Sequence, residues 1–579
     1  ECKLIDYANQ YDVAPDRFAG EKSDIEFEDD HPFIVRDPSK CILCGLCVRV
    51  CDEVVGVGAL GLVNRGFETT VKPNMEKPLV ESGCISCGQC VSVCPTGALQ
   101  ERTTMIKETP VATEVTDTTC AYCSVGCSLK VESCGDMLIK SNPDKDGIVN
   151  KGLICGNGKW GFDCAVLEDK LEEPLVKEDG RFREADYHEA FVLVAKKCQS
   201  IGAKYGKDAI AVSISDRYTN EEAYAMRTMA EAMGAKVLCM NNRESGLKKV
   251  IGRDASPNTI DELLSTNVIL KVGFKDEDSR VIALKLRQAE EAGAKVISVC
   301  NCDNDLSFLK EVAKAIVDSG KAKMVAGYDE FVASLANVKV SEEAKAIADT
   351  YMAAKKAMIV YQQNFLTVDG ATLVADIAML SGHIGSPRDG ILQVKAKNNS
   401  QGLVDMGITA GVEALEGVKA LVVFGENADI NTDELEFLAV CDTHVTELGS
   451  KADVVIPGTG FASIDGTFTN TERRLQLVEA AIDEEILFSN WEVAVEIAHV
   501  FEVDLDWDET DEISDEMADT VAAYKYAQVG EVLGGVLTPT EDAKLVVVGD
   551  GELVEKLACT DSLMQVIEQR LPKAANPTA

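Results

Sequence analysis

Two stretches of this sequence carry four cysteines each at one repeated spacing. CILCGLCVRVC, from Cys41 to Cys51, and CISCGQCVSVC, from Cys84 to Cys94, both read Cys-x2-Cys-x2-Cys-x3-Cys, with Pro95 after the second. Thiolates converging from one short loop can reach a single ion or cluster, which such tight spacing suits better than disulfide pairing. Structural zinc sites rarely repeat a four-cysteine run with an x3 end, so the pattern points to iron–sulfur chemistry. Gly45 and Gly88, inside the runs, let backbone amides approach sulfur and tune its electronics. A third set follows, with Cys120, Cys123 and Cys127 in CAYCSVGC and then Cys155 in GLICGNGKWG. Three close thiols and one remote one can also surround a cubane.

The paired runs resemble those of two-cluster bacterial ferredoxins, in which three cysteines of each run hold one 4Fe-4S cubane and the fourth crosses to the other. That implies Cys41, Cys44, Cys47 and Cys94 around one cubane, and Cys84, Cys87, Cys90 and Cys51 around its neighbour. The third set is similar to the N-terminal 4Fe-4S site of the molybdopterin oxidoreductases, formate dehydrogenase large subunits above all, and implies a third cubane on Cys120, Cys123, Cys127 and Cys155. Cys134 and Cys164 lie nearby and read as buried small side chains. The opening ECKLIDYANQYDV resembles the segment after a His-Cys-Cys-Cys cluster motif in the large iron–sulfur subunit of NADH dehydrogenase and in iron-only hydrogenases. On that likeness Cys2 is the last ligand of a further iron–sulfur cluster. Residues 1–35 are then the remainder of an upstream domain, and Glu1, in place of a methionine, fits a chain that begins inside a longer one.

These clusters need a scaffold. From about residue 165, short apolar runs alternate with helical periods: DAIAVSIS and KVLCM flank NEEAYAMRTMAEAMG, NVILKVGF and AKVISVC flank SRVIALKLRQAEEAG, and KALVVFGEN repeats the theme. Such alternation indicates parallel sheets with helices on both faces, so the class is α/β. KNNSQGLVDMG, from Lys397 to Gly407, and ADVVIPGTGFASIDGTFTNTERRLQ, from Ala452 to Gln476, resemble segments of formate dehydrogenase large subunits. The resemblance implies a two-cluster ferredoxin-like α+β domain over 36–108, a small 4Fe-4S domain over 109–170, and a multi-domain α/β molybdopterin-oxidoreductase-like core over 171–500. Residues 501–579 read as an acidic linker and C-terminal extension, without the β-barrel that closes over the pterin in that family.

Four departures from the family bear on the pterin, the missing barrel among them. The family's catalytic cysteine or selenocysteine is normally followed by His, whereas Cys239, the nearest by position, precedes Met240. Asn157 stands where the family has a Lys linking cubane to pterin. CNCDND, from Cys300, stands where an Asp-Pro-Arg meets the cofactor's nucleotide. Metal chemistry needs its ligand and a preorganised surround, so a pterin-free core is expected, with molybdopterin absent. Cys300 and Cys302 read as free thiols, VVVGDG at Val546–Gly551 as a structural loop, and the acidic run from Asp504 as a solvated linker or face. His188, His383 and His444 share no ligand spacing.

The chain has 579 residues, 46% of them hydrophobic, and 57 Lys and Arg against 97 Asp and Glu give a net charge of −40. That balance argues against nucleic acid or an anionic membrane surface as partner. No apolar run approaches the roughly 20 residues of a membrane helix, so no membrane insertion is expected. Clustered cysteines suit a reducing compartment, the cytoplasm. A row of one-electron centres without a two-electron site is a wire. The expectation is therefore an electron-transfer subunit with no catalytic residue of its own, and its resemblance to the large iron–sulfur subunit of NADH dehydrogenase implies an NAD(P)H-linked complex of the kind that includes electron-bifurcating enzymes. Its partners would be a flavin-containing NADH-oxidising subunit, a small 2Fe-2S subunit, and ferredoxin or another redox partner. The alternatives are the catalytic subunit of a molybdenum or tungsten bis-pterin formate dehydrogenase, and a non-catalytic scaffold.

Overall fold

The computed structural model describes residues 3–14, 20, 30–102, 113–162, 170–241, 245–299, 305–483, 487–549 and 559–560; Cys2, Cys164, Cys300 and Cys302 lie outside this set. One compact unit combines residues 1–117, 127–166 and 566–579, and the other combines 118–126 with 167–565.

In the first unit each cysteine run is an irregular loop that turns into a helix at a glycine. Gly45 (φ 73°) and Gly88 (φ 68°) are both left-handed, and the short helices Leu46–Arg49 and Gln89–Val93 follow. Glycine holds that conformation without the steric cost of a Cβ. The strand Ile34–Arg36 pairs antiparallel with Leu99–Glu101, tying together the two ends of the cysteine-rich segment. Residues 34–35 therefore belong to the ferredoxin-like body rather than to an upstream remainder. Between the runs lies the hairpin of Leu60–Val63 with Thr70–Pro73. Phe33, Ile34, Leu60, Leu79 and Trp160 pack among the cysteines as one small core. A second hairpin joins Ser128–Cys134 to Met137–Pro143, and Cys134 sits at its tip opposite Met137, half-buried rather than buried.

The second unit is built on two parallel sheets, as the alternating pattern predicts. In one, five parallel strands run in the order Lys236–Leu238, Ile210–Ile214, Ala420–Phe424, Phe437–Asp442, Val454–Pro457, and the antiparallel pair Leu175–Glu178 and Arg181–Glu184 extends it. The other has Lys295–Val299, Val268–Val272, Ala357–Gln362 and Gly390–Val394, all parallel. Ala357–Gln362 and Ala420–Phe424 are buried at each position, which is why the second reads as an unbroken apolar run. The helix Asn220–Met233 opens with a capping box between Thr219 and Glu222, the signature of a helix start.

The acidic run from Asp504 is not a linker. Thr510–Thr520 is a helix, and its Ile513 and Met517, four apart and so on one face, are buried in the larger core. Asp511, Glu512, Asp515 and Asp519 face solvent. Further on, Leu545 and Val548 are buried in the second sheet's core, so this stretch belongs to the body of the unit. Among the described residues, no helix is long and apolar enough to cross a membrane.

Candidate metal centres

The first unit gathers its cysteines around two cavities. One is lined by Cys41, Cys44, Cys47 and Cys94, the other by Cys51, Cys84, Cys87 and Cys90. Each set takes three members from one run and the last cysteine of the other, because the two helices carry Cys51 and Cys94 across to the opposite loop. Burial, with the nearby Cys41, Cys94 and Cys44, pushes the Cys47 thiol up to about 11. Burial raises Cys84 to about 11 and Cys87 to about 12, with Cys51 adding to both, and lifts Cys90 well above its ordinary value. Four thiolates crowded into an apolar cavity need a cationic core between them, and this donor set fits a cubane.

The two cavities differ in exposure. Cys44 is exposed, whereas Cys87 and Cys90 are buried. Around the second cavity stands a group of residues that spacing alone does not reveal. Trp160 donates from Nε1 to the Ser86 carbonyl and stacks on Phe33 with ring centroids 5.4 Å apart. Lys159 is 2% exposed; its Nζ donates to Glu101 and Asn142 side chains and to the Ser141 carbonyl. Burial pulls the Lys159 ammonium below its ordinary value while Glu101 opposes the shift. His31 lies against Ser86 and Cys84, and burial lowers its pKa to about 4, Asp30 opposing and Arg36 assisting. A histidine ahead of the first run was the available signal for this group, and nothing in its spacing marked it.

Of the third set, Cys127 and Cys155 belong to the first unit, and Cys120 and Cys123 to the segment counted with the second. Cys155 lies near enough to Cys87 to raise its pKa. Cys120 and Cys127 are buried, Cys123 and Cys155 half-buried. The second family-like motif, together with Lys395 just ahead of the first, holds the segment that carries Cys120 and Cys123. Ser124 Oγ donates to the Lys395 carbonyl (2.7 Å), Asn470 Nδ2 to the Val125 carbonyl (2.9 Å) and Gln476 Nε2 to the Gly126 carbonyl (2.7 Å). Arg217, which the sequence did not single out, donates to the carbonyls of Ala121 and Tyr122.

Cys239 is fully buried, and its Sγ lies 3.5 Å from Glu426 Oε1. The same carboxyl accepts from Ser213 Oγ and from the backbone N–H of Met240 and Asn241. Burial pushes Glu426 up to about 7. Lys395 Nζ is paired with Asp254 at 2.9 Å, both buried, and Asn157 is exposed. A thiol turned inward onto a carboxyl does not fit a sulfur ligand of a pterin-bound metal. A cavity of about 760 Å³ in the second unit is lined by Glu221, Glu222, Asp511, Asp515, Trp491 and Tyr524 among others, with no cysteine in its lining.

Three known domain families match parts of the chain. Residues 40–98 match the 4Fe-4S dicluster domain, 113–164 the molybdopterin oxidoreductase Fe4S4 domain, and 170–499 the molybdopterin oxidoreductase domain. The chain is 25% identical to "Probable oxidoreductase YjgC" of Bacillus subtilis over 82% of its own length and 61% of that protein's. It is 27% identical to a "Putative formate dehydrogenase" of Staphylococcus aureus over 86% and 60%. It thus spans about 60% of the length of these curated relatives. The fold is similar to that of acetylene hydratase from Pelobacter acetylenicus, with a TM-score of 0.55 at 13% identity over 74% of this chain and 77% of that one. With the largest domain matching over more than half of its residues, and cysteine-bearing domains of the same kind ahead of it, the chain belongs to the molybdopterin oxidoreductase family.

Proposed function

We propose that the chain is the electron-transfer subunit of a multi-subunit, NAD(P)H-linked oxidoreductase of a reducing compartment, the cytoplasm. It would pass electrons between a flavin-containing NADH-oxidising subunit, accompanied by a small 2Fe-2S subunit, and ferredoxin or another redox partner. The observation that carries this reading is the pair of cavities, each lined by four cysteines. Cys41, Cys44, Cys47 and Cys94 hold one cubane and Cys51, Cys84, Cys87 and Cys90 a second. Cys120, Cys123, Cys127 and Cys155 hold a third, and Cys2 contributes to a further cluster. Bound cubanes take up and give back one electron each. The protein's part is to fix the sulfur spacing, to keep water from the second centre and to aim N–H groups at sulfur. A nicotinamide yields two electrons together, so a flavin partner is needed to divide them.

We read the α/β core as lacking both molybdopterin and a substrate site, because the Cys239 thiol is engaged by Glu426. The relatives' formate dehydrogenase name favours the alternative, a catalytic molybdenum or tungsten subunit. Anaerobic purification with metal analysis separates the two. The wire reading expects on the order of 12 iron atoms as three cubanes, no molybdenum or tungsten, and reduction by NADH only with the flavin partner bound. A few iron atoms with zinc in their place would end it, and one molybdenum or tungsten per chain with formate oxidation would establish the alternative.

A further inference from the structure

The two cysteine runs share a backbone and differ in what surrounds it. Leu43 and Ser86 stand at the same place in Cys-x2-Cys, with φ of 55° and 56°. The backbone N–H of each donates to the sulfur two residues earlier, Cys41 and Cys84, at 3.4 Å in both cases. Their side chains part company. Leu43 is 41% exposed, whereas Ser86 is 3% exposed, and its hydroxyl lies 3.1 Å from His31 Nε2. His31 has one orientation and one tautomer open to it. The backbone N–H groups of Phe33 and Ile34 both donate to Nδ1, each at 3.1 Å. A ring nitrogen that accepts two hydrogen bonds carries no hydrogen, so the ring hydrogen sits on Nε2. It faces Ser86 Oγ at 3.1 Å and Cys84 Sγ at 3.9 Å. The Ser86 hydroxyl therefore accepts from the ring, and its own hydrogen is left to turn elsewhere.

We propose that His31, through its Nε2–H and the Ser86 hydroxyl, is a positioning residue that raises the reduction potential of the cubane on Cys51, Cys84, Cys87 and Cys90. This rests on the cubane reading given above. One added electron spreads negative charge over the sulfurs, and N–H and O–H dipoles aimed at them stabilise the reduced form more than the oxidised one. Burial acts the other way, since a buried added charge is less well solvated, and the donors offset it. The exposed cubane has the backbone donor of Leu43 without a ring behind it. An electron arriving there is drawn inward, toward the side on which Cys155 approaches Cys87.

The test uses the full chain, purified anaerobically as wild type and as His31→Leu, His31→Gln and Ser86→Ala. Iron and sulfide are counted first, and each cubane is then followed by EPR-monitored redox titration. With full iron, His31→Leu and Ser86→Ala should lower the midpoint of the buried cubane and leave the exposed one unmoved. His31→Gln, which can still accept on oxygen and donate on nitrogen, should restore part of the shift. Labelling the histidines with 15N should give a weak nitrogen coupling to the reduced cluster that His31→Leu abolishes. Unchanged midpoints in both variants, or equal shifts in both cubanes, would overturn the proposal. If His31→Leu loses the cluster, Ser86→Ala decides alone. A wild type without two cubanes would overturn the cluster reading and this proposal with it, an outcome read from iron content rather than from potential.

Discussion

A methyl group added at Gly45 and one added at Gly88 should have unequal effects, although both glycines start equivalent helices with the same left-handed backbone. Around Gly45 nothing lies within 4 Å of the added carbon, whereas at Gly88 it would sit 2.8 Å from Lys159 Cγ and 2.8 Å from Trp160 Cζ2. Gly45→Ala then costs only the left-handed strain, about 1 kcal/mol. Gly88→Ala adds overpacking of roughly 1–3 kcal/mol. The neighbours cannot step aside cheaply, because Trp160 is pinned to the Ser86 carbonyl and stacked on Phe33, and the buried Lys159 ends in three hydrogen bonds. At about 1.4 kcal/mol per factor of ten in rate, the difference corresponds to roughly 5- to 150-fold. Anaerobic bleaching of the iron–sulfur absorbance by a chelator, in mild denaturant, measures it, and EPR reports which cubane goes. Gly88→Ala should lose the cubane on Cys51, Cys84, Cys87 and Cys90 faster than Gly45→Ala loses either one, by that factor. Equal loss rates in the two variants would refute the claim that Lys159 and Trp160 form a rigid wall behind the second run.

Two further outcomes are expected. Cys87→Ser should lose the buried cubane and retain the exposed one, so that iron content falls by about a third while one EPR signal of the ferredoxin pair survives. Asp376 is fully buried and accepts from the Val546 N–H at 3.1 Å. Burial holds it up at about 8 against an ordinary 3.8, the Val546 N–H opposing the shift. A folded-state value raised in this way means that the unfolded chain releases its proton first. The contribution to stability is full below about 4 and is lost as pH climbs to about 8, at roughly 1.4 kcal/mol per pH unit. Asp376→Asn keeps the acceptor and removes the titration, so its stability relative to wild type should rise steadily over that window in denaturant unfolding. A difference that does not vary with pH would count against the assignment.

The α/β core was legible because buried parallel strands are apolar over most of their length, as in Ala420–Phe424. The grouping of Cys94 with the first run and of Cys51 with the second came from the resemblance to two-cluster ferredoxins rather than from spacing alone, and the two cavities gather the cysteines in those sets. The surroundings of the sulfurs were not. Trp160 follows the last cysteine of the third set by five positions and reaches Ser86 in the second run, a contact set by the way hairpin and loop pack and by no local period. His31 lies more than fifty residues before Ser86 in the chain. The acidic run from Asp504 misled for a different reason: two apolar residues, Ile513 and Met517, are enough to anchor a helix when a core is waiting, and charge density outweighs them in any count of composition.

The graded exposure of the cysteines also decides how such a chain would corrode in air. Oxidants attack sulfur and iron where they can reach them, and Cys44 is exposed while Cys87 and Cys90 are buried. Oxygen or peroxide would therefore strip the outward cubane first. On the electron-transfer reading proposed above, and with electrons entering at the exposed cubane, its loss would cut the inner centres off from incoming electrons and leave them oxidised, the state in which iron–sulfur clusters no longer feed superoxide formation. The outer centre would act as a fuse, and a damaged molecule would need that cubane alone rebuilt to conduct again.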